Sequence, residues 1–301
     1  MKLSVIVPVH NECPNITPFY DRTRAVLDGL RDVNTWEIVF VNDGSTDDSL
    51  ERMRTLRRTD PRIKIITLSR NFGYHAVLIA GLTLTESDLY SIIDVDGEDP
   101  PELLASFYDS ILSGTQVAYG IRSQRQEPRV ITWFRGMFYR INAGIADSPT
   151  VLWMAEFVMM TRQVRDAILA PKTTYPFLRA EIAHVGFKRE GIAYLRARRM
   201  HGTSHYRLYQ MTKFAIGGFL ASSTFPLRLV LYIALFLGVL YPVGVWWFGG
   251  LTTNTFILTS VLQFYFLVIS VPILALYLAR TYKNGTARPI FVVDHTQTHL
   301  S

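Results

Sequence analysis

The chain has 301 residues, 49% of them hydrophobic, with a mean hydropathy of +0.17; that is too apolar for an ordinary soluble enzyme, so part of it is expected to lie in lipid. Its 31 basic and 25 acidic residues leave a net charge of +6, but the basic residues are scattered among Leu, Phe and Tyr. That pattern argues against nucleic acid and leaves an anionic membrane face or a phosphate-bearing substrate. The single cysteine, Cys13, excludes an internal disulfide and a multi-cysteine metal site, and reads as an incidental thiol.

Met1-Lys2 runs straight into Leu3-Ser4-Val5-Ile6-Val7 with no export signal, so the N-terminal half is expected in the cytosol. Residues 3–120 then alternate short apolar runs with helical patterns, the rhythm of a mainly parallel α/β sheet. Strands are predicted at Leu3 to Val9, Trp36 to Val41, Ile63 to Leu68, Leu89 to Ile93 and Val117 to Tyr119. Helices are predicted at Ile16 to Leu30, Asp47 to Arg58, Gly73 to Leu84 and Pro101 to Leu112, the second with Asp47-Asp48 in its first turn, where the helix dipole favours acid. From Arg122 to Met160 the rhythm weakens, and Ile131 to Ile145 reads as an amphipathic helix carrying Arg135 and Arg140. A short strand at Ile192 to Leu195 leads into Arg196, Arg198 and Arg199. Residues 1–205 are read as one cytosolic domain, and 206–226 as an amphipathic helix in the headgroup layer, with a packed core helix as its alternative.

The composition then changes. Leu229 to Gly249 gives 21 residues without a charge and Thr255 to Ala279 gives 25, where ~20 suffice to cross the hydrocarbon core. Residues 227–281 are therefore predicted to form a two-span hairpin. Arg228 before it and Arg280, Lys283 and Arg288 after it place both flanks in the cytoplasm by the positive-inside rule. The tail, 282–301, contains Arg288 to Val293, which reads as an extra strand able to join its own sheet or a neighbouring subunit's.

In sheets of this type ligands gather at the carboxyl ends of the strands, and the polar clusters fall there: His10-Asn11-Glu12, Asn42-Asp43-Gly44-Ser45, Ser69-Arg70-Asn71, and Asp94-Val95-Asp96-Gly97-Glu98-Asp99. The last puts four carboxylates within six residues. Their mutual repulsion points to a shared cation, with hard oxygen ligands suited to Mg²⁺ or Mn²⁺; a polar turn ahead of a helix begun by Pro100-Pro101 is the alternative.

These successive stretches, Val7-Pro8-Val9-His10-Asn11-Glu12, Val41-Asn42-Asp43-Gly44-Ser45, Leu68-Ser69-Arg70-Asn71-Phe72-Gly73 and Asp94-Val95-Asp96-Gly97-Glu98, resemble the motifs of family 2 glycosyltransferases with the GT-A fold. The two spans and Arg199-Met200-His201-Gly202-Thr203-Ser204-His205-Tyr206 narrow the resemblance to the polyprenyl-phosphate glycosyltransferases. It implies that Pro8, Asn11, Glu12, Asp43 and Arg70 hold the nucleotide sugar, and that Asp94 and Asp96 carry a divalent cation, with Glu98 as a further oxygen ligand where the family usually has glutamine. It also implies that Arg122, Arg125, Arg135 and Arg199 meet the acceptor phosphate. Arg196 and Arg198 read as solvated side chains, and the amides opening the helix after Arg70 are expected to face phosphate.

The chain departs from the pattern at Ile131 and Arg135, where the family has a basic residue and then a serine. It departs again at Glu156-Phe157-Val158-Met159, which keeps a carboxylate but loses an arginine. The implied reaction is an inverting single displacement in which the lipid phosphate attacks the sugar, with Asp96, Glu156 and Arg199 as the catalytic set. The implied partners are a UDP- or GDP-sugar, polyprenyl phosphate, the membrane, a possible second copy of the chain, a separate flippase and a downstream glycosyltransferase. A processive polysaccharide synthase shares the early motifs but needs more spans and a Gln-x-x-Arg-Trp motif, which this sequence lacks; a non-catalytic nucleotide-binding subunit is the third reading.

Overall fold

The structure is a computed structural model that describes residues 1–122, 137, 154–171, 173–174, 176–197, 223–247, 249–250 and 252–300. The first half follows the predicted rhythm: β1 (Lys2–Val9), α1 (Cys13–Asp28), β2 (Thr35–Asn42), α2 (Ser49–Thr59), β3 (Ile63–Thr67), α3 (Tyr74–Leu84), β4 (Leu89–Ile92), α4 (Leu103–Leu112) and β5 (Val117–Arg122). Then come β6 (Met154–Thr161), α5 (Arg162–Leu169), α6 (Leu178–Val185) and β7 (Arg189–Tyr194), followed by two long helices, α7 (Phe225–Trp247) and α8 (Thr253–Gly285). The sheet order is β3-β2-β1-β4-β6-β5-β7. β1, β2, β3 and β4 are parallel neighbours, whereas β6 runs antiparallel to both β4 and β5.

Apolar side chains on both faces of the strands make the sheet a buried middle layer. On one face Val5, Ile38, Phe40 and Phe157 pack with α1, α2 and α4; on the other Ile6, Val41, Ile92 and Val158 pack with α3, α5 and α6. Helix α3 buries seven consecutive residues from Ala76 to Leu82, and each large side chain so buried stabilises the fold by roughly 1.5–3 kcal/mol. Burial on that scale holds α3, and the loop that opens it, against the carboxyl ends of β1 and β2.

Several expectations need correction. β6, α5 and α6 carry no sequence expectation, because β6 is bounded by a weak pattern, and its insertion between β4 and β5 is a long-range choice that local periodicity does not encode. Helix α2 begins at Ser49, with Asp48 at its N-cap, because the Asp47 carboxylate is taken up accepting from the Ser49 amide at 3.0 Å and the Cys13 amide at 3.2 Å. The amphipathic helix expected at 131–145 and most of the headgroup-layer helix at 206–226 lie outside the described residues, but Phe225 and Pro226 already belong to α7.

Helices α7 and α8 are long and apolar enough to cross a membrane, with almost nothing buried along either. They form an antiparallel hairpin, closed near its base by the Tyr277 hydroxyl donating to the Ser223 carbonyl at 2.7 Å. The tail then returns to the sheet of its own chain. Leu68 pairs with Val293 and Ile65 with His299, both antiparallel, so the free edge of β3 is covered, as exposed strand edges usually must be. The α8 end and the tail are thus on the same side of the hairpin as the sheet.

Candidate active site

The acid stretch leaves β4 as a turn in which exposure alternates. Asp94, Asp96 and Glu98 are half-buried on one side, while Val95, Gly97 and Asp99 are buried on the other. This period of two, carried past the strand's end, sorts the four carboxylates into two groups with different surroundings.

Asp99 faces inward and is matched. Its carboxylate accepts from Arg122 Nη2 at 3.2 Å and from the Tyr194 hydroxyl, and Arg122 Nε donates to the Tyr194 oxygen at 3.1 Å. Gly120 makes room for this triad, since a Cβ there would lie 2.6 Å from the Tyr194 ring. Against its burial, the Asp99 charge and the hydrogen bond to Tyr194 hold the Arg122 guanidinium charged. A buried ion pair broken on one side costs ~3–5 kcal/mol, so the triad fixes the acid turn rigidly to β5 and β7. The Arg122 guanidinium is thereby engaged inside the protein instead of being presented outward to a phosphate. Sequence reasoning missed Asp99 and Tyr194; the signal was four acids in a turn that could hardly all share one cation.

Glu98 has a partner as well. Arg196 forms an ion pair with it, and the Ala197 amide donates to the Glu98 carbonyl at 2.9 Å. Arg196 is therefore not the solvated side chain expected from the sequence; the chain leaving β7 is drawn across the acid turn. Asp96 Oδ1 accepts the Glu98 amide at 3.1 Å, which closes the turn locally.

Asp94 accepts from the Tyr74 hydroxyl at 2.9 Å. Burial, and then the charges of Asp96 and Asp99, push its carboxyl up to about 7, while the Tyr74 hydrogen bond and Arg122 pull the other way. Tyr74 is in turn raised well above its usual value by burial, then by the Asp94 and Glu156 charges, so these groups share one polar patch. Glu156, buried on β6, is paired to Arg179 Nε at 2.7 Å. Next to it the His75 imidazole is pushed down by burial, against the pull of Glu156, and its ring lies 5.0 Å from that of Phe177. Tyr74, His75 and Arg179 are residues that the sequence reading did not single out.

The nucleotide-binding candidates meet at the ends of β1 and β2. Asp43 is buried, and its two carboxylate oxygens accept from the Phe72 amide at 2.7 Å and the Gly73 amide at 3.0 Å. The Phe72 and Gly73 amides, in the loop that leads into α3, are therefore satisfied by Asp43, which stands at the end of the neighbouring strand β2, and do not stand open to phosphate as expected. Gly44 has φ +63°, and a Cβ there would come within 2.7 Å of the Arg70 backbone, so the turn and the loop interlock. Arg70 is exposed at the rim, stacked over Phe72 at 3.9 Å. Asn11, at φ 55°, accepts from the Thr46 amide at 2.8 Å, and the Glu12 carboxylate accepts from the Asn15 amide group. Pro8 stands opposite Val41 near the end of β1. Arg125, Arg135 and Arg199 lie outside the described residues.

Among the described residues no three His, Cys, Asp or Glu side chains are gathered into a cluster able to hold a metal. The donor set fits Mg²⁺ or Mn²⁺ in another way, because such ions commonly take one or two carboxylates and complete their shell with substrate phosphates and water. Asp94 and Asp96 are the two carboxylates with no cationic side chain paired to them among the ion pairs of the acid turn.

Residues 4–169 match the profile of glycosyl transferase family 2. The chain is 33% identical over 307 residues to the uncharacterized glycosyltransferase YkcC of Bacillus subtilis, covering 98% of this chain and 94% of that protein. It is 30% identical over 310 residues to the prophage bactoprenol glucosyl transferase homolog of Escherichia coli, covering 99% and 100%. It is also 30% identical over 308 residues to the bactoprenol glucosyl transferase of Shigella phage SfV, covering 98% and 99%. With the family profile matched from β1 to α5, and relatives aligned across both apolar helices, the chain belongs to glycosyl transferase family 2.

Proposed function

We propose that the protein transfers a hexose from a nucleoside diphosphate sugar to polyprenyl phosphate at the cytoplasmic face of a bacterial inner membrane, inverting the anomeric centre. The observation that carries this reading is the half-buried pair Asp94 and Asp96 at the end of β4, on a chain that goes on to two long apolar helices with almost nothing buried along them. The full-length likeness to proteins named bactoprenol glucosyl transferases supports the acceptor class and makes glucose the first sugar to try, ahead of N-acetylglucosamine, galactose and mannose. The basic residues Arg228, Arg280, Lys283 and Arg288 around the hairpin support the cytoplasmic placement.

In this reading Asp94 and Asp96 would hold Mg²⁺ or Mn²⁺, which when bound would supply counter-charge for the leaving diphosphate. The lipid phosphate oxygen forms the new bond to the anomeric carbon as the bond to the diphosphate oxygen breaks. An acceptor phosphate is already ionised near neutral pH, so no side chain need remove a proton. Glu156, held by Arg179, orients the sugar instead of acting as base. Asp43 shapes the nucleoside pocket by fixing the 70–73 loop, and Arg122 positions the acid turn. The grip on the acceptor phosphate then falls to Arg199, together with Arg125 and Arg135, because a guanidinium can bind two phosphate oxygens. Flipping of the product and its later use belong to other proteins.

The test is a transfer assay with labelled UDP- and GDP-sugars against undecaprenyl and dolichyl phosphate in detergent. One sugar should give labelled lipid that is lost on chelation, and Asp96→Ala should reduce turnover by about 10²-fold or more, as loss of charge stabilisation at a leaving group does. Full activity in Asp96→Ala would overturn the metal assignment, and donor hydrolysis without lipid product would overturn the acceptor.

A further inference from the structure

The chain leaves the sheet at β7, passes through the hairpin and comes back, and the two points where it comes back flank the candidate site. At the first, Asn284 in the last turn of α8 accepts from the Thr174 amide at 3.0 Å and from the Thr174 hydroxyl. Thr174 precedes α6, and the same short segment supplies Phe177, whose ring packs on His75, and Arg179, which pairs with Glu156. At the second, the tail lies along β3. The Ser69 amide donates to the Val292 carbonyl at 2.9 Å, the Asp294 amide to the Thr67 carbonyl at 2.8 Å, and Ile65 and His299 exchange two backbone bonds at 2.9 and 2.7 Å.

The second anchor is packed as well as hydrogen-bonded. Phe291 and Val293 point inward and join the cluster that contains Phe72 and Tyr74, while Val292 points out. Phe72 donates its amide to Asp43, and Tyr74 its hydroxyl to Asp94. One short path therefore runs from the tail, through the 69–74 loop, to both the nucleoside turn and the acid turn.

We infer that residues 284–299 are a positioning strap through which the second span sets the geometry of the donor site, one anchor acting on the 69–74 loop and the other on the Phe177–Arg179 segment. This rests on the donor-site reading above. A membrane-anchored enzyme with such a strap has a donor pocket ordered fully only when the hairpin is seated. None of the strap residues touches substrate; each acts through the loop it holds.

Two variants of the full-length protein in detergent test this: Val293→Asp, which puts a charge into the apolar cluster that Phe72 and Tyr74 also join, and the double variant Asn284→Ala with Thr174→Val, which frees the other anchor without disturbing the core. Val293→Ile is the conservative control. Hydrogen exchange is followed at Phe72 and Gly73, with Val5 and Ile6 of β1 as the reference. Affinity is measured for UDP and GDP with Mn²⁺. Val293→Asp should speed exchange at Phe72 and Gly73 at least 10-fold with β1 unchanged. Both altered strap variants should weaken whichever nucleotide binds the parent about 10-fold, and Val293→Ile should match the parent. Unchanged exchange at Phe72 and Gly73, nucleotide affinity within twofold of the parent in both variants, or equal acceleration in β1, the mark of a merely structural role, would each overturn the inference. If the parent protein binds neither nucleotide, the donor-site reading fails, while exchange still decides whether the strap orders the loop.

Discussion

Replacing Tyr74 with Phe removes one hydroxyl and a single hydrogen bond, the 2.9 Å bond to Asp94, and leaves the ring in place. That bond favours the charged carboxylate, in opposition to burial and to the Asp96 and Asp99 charges that together raise Asp94 to about 7. A hydrogen bond to a charged group contributes ~1.5–3 kcal/mol, and 1.36 kcal/mol corresponds to one pKa unit, so the variant's Asp94 should titrate about one unit higher. At pH 7 the ionised fraction would fall from about one half to about one tenth, and a cation that binds only the carboxylate would bind about fivefold more weakly. At pH 9 the gap should shrink to about 10%. Mn²⁺ titrations of parent and Tyr74→Phe at pH 7 and pH 9, followed by calorimetry and by sugar transfer, measure both points. Equal affinities at pH 7, or a fivefold gap that persists at pH 9, would refute the reasoning, since the first denies the coupling and the second denies that a proton competes.

Asp43→Ala leaves the half-buried Phe72 and Gly73 amides without their acceptor, where a fully buried group left unpaired would cost roughly 1–3 kcal/mol; denaturant unfolding should show a loss of about 1–3 kcal/mol in all, since water can reach both amides, with nucleotide affinity falling alongside. Glu98→Gln should leave Mn²⁺ affinity within about threefold of the parent, because Arg196 already occupies that carboxylate; a much larger loss in calorimetry would restore Glu98 as a ligand. Asp60 is held down to about 2 by hydrogen bonds from Arg62 and Tyr20 that outweigh its burial. A depressed carboxyl contributes stability that is complete above its unfolded value and lost as pH falls through about 2. Unfolding midpoints of the parent should therefore drop between pH 4 and pH 2, and those of Asp60→Asn should change less.

What the sequence made legible was whatever has a local signature. Short apolar runs alternating with helical patterns located β1 to β5 and put the polar clusters at the carboxyl ends of the first four, and two uncharged stretches located the hairpin. Illegible were the pairings between distant segments. Nothing near Met154 says that its strand inserts antiparallel between β4 and β5, and nothing near Arg196 says that Glu98 will meet it. Asp43 shows the same limit: its turn was visible, but the amides it satisfies belong to residues about thirty positions later. The tail is intermediate. The stretch Arg288 to Val293, with its apolar run from Ile290, read as a strand, and only the fold chose the edge of β3 in its own chain.

The acid turn shows how these long-range pairings decide chemistry. Asp94, Asp96, Glu98 and Asp99 would bring a charge of −4 if all were ionised, and Arg122 and Arg196 return +2 through Asp99 and Glu98, so −4 + 2 leaves −2 on Asp94 and Asp96. Two neighbouring carboxylates without a counter-charge are costly in a half-buried site, and a protein has two ways to relieve them. One is to keep a proton, which is what the rise of Asp94 to about 7 expresses; the other is to bind one divalent cation, which matches the residual charge. The arginines therefore do more than brace the loop. By engaging Glu98 and Asp99 they leave two carboxylates whose charge would suit one divalent ion, and in the proposed function the remaining coordination positions would fall to the donor diphosphate.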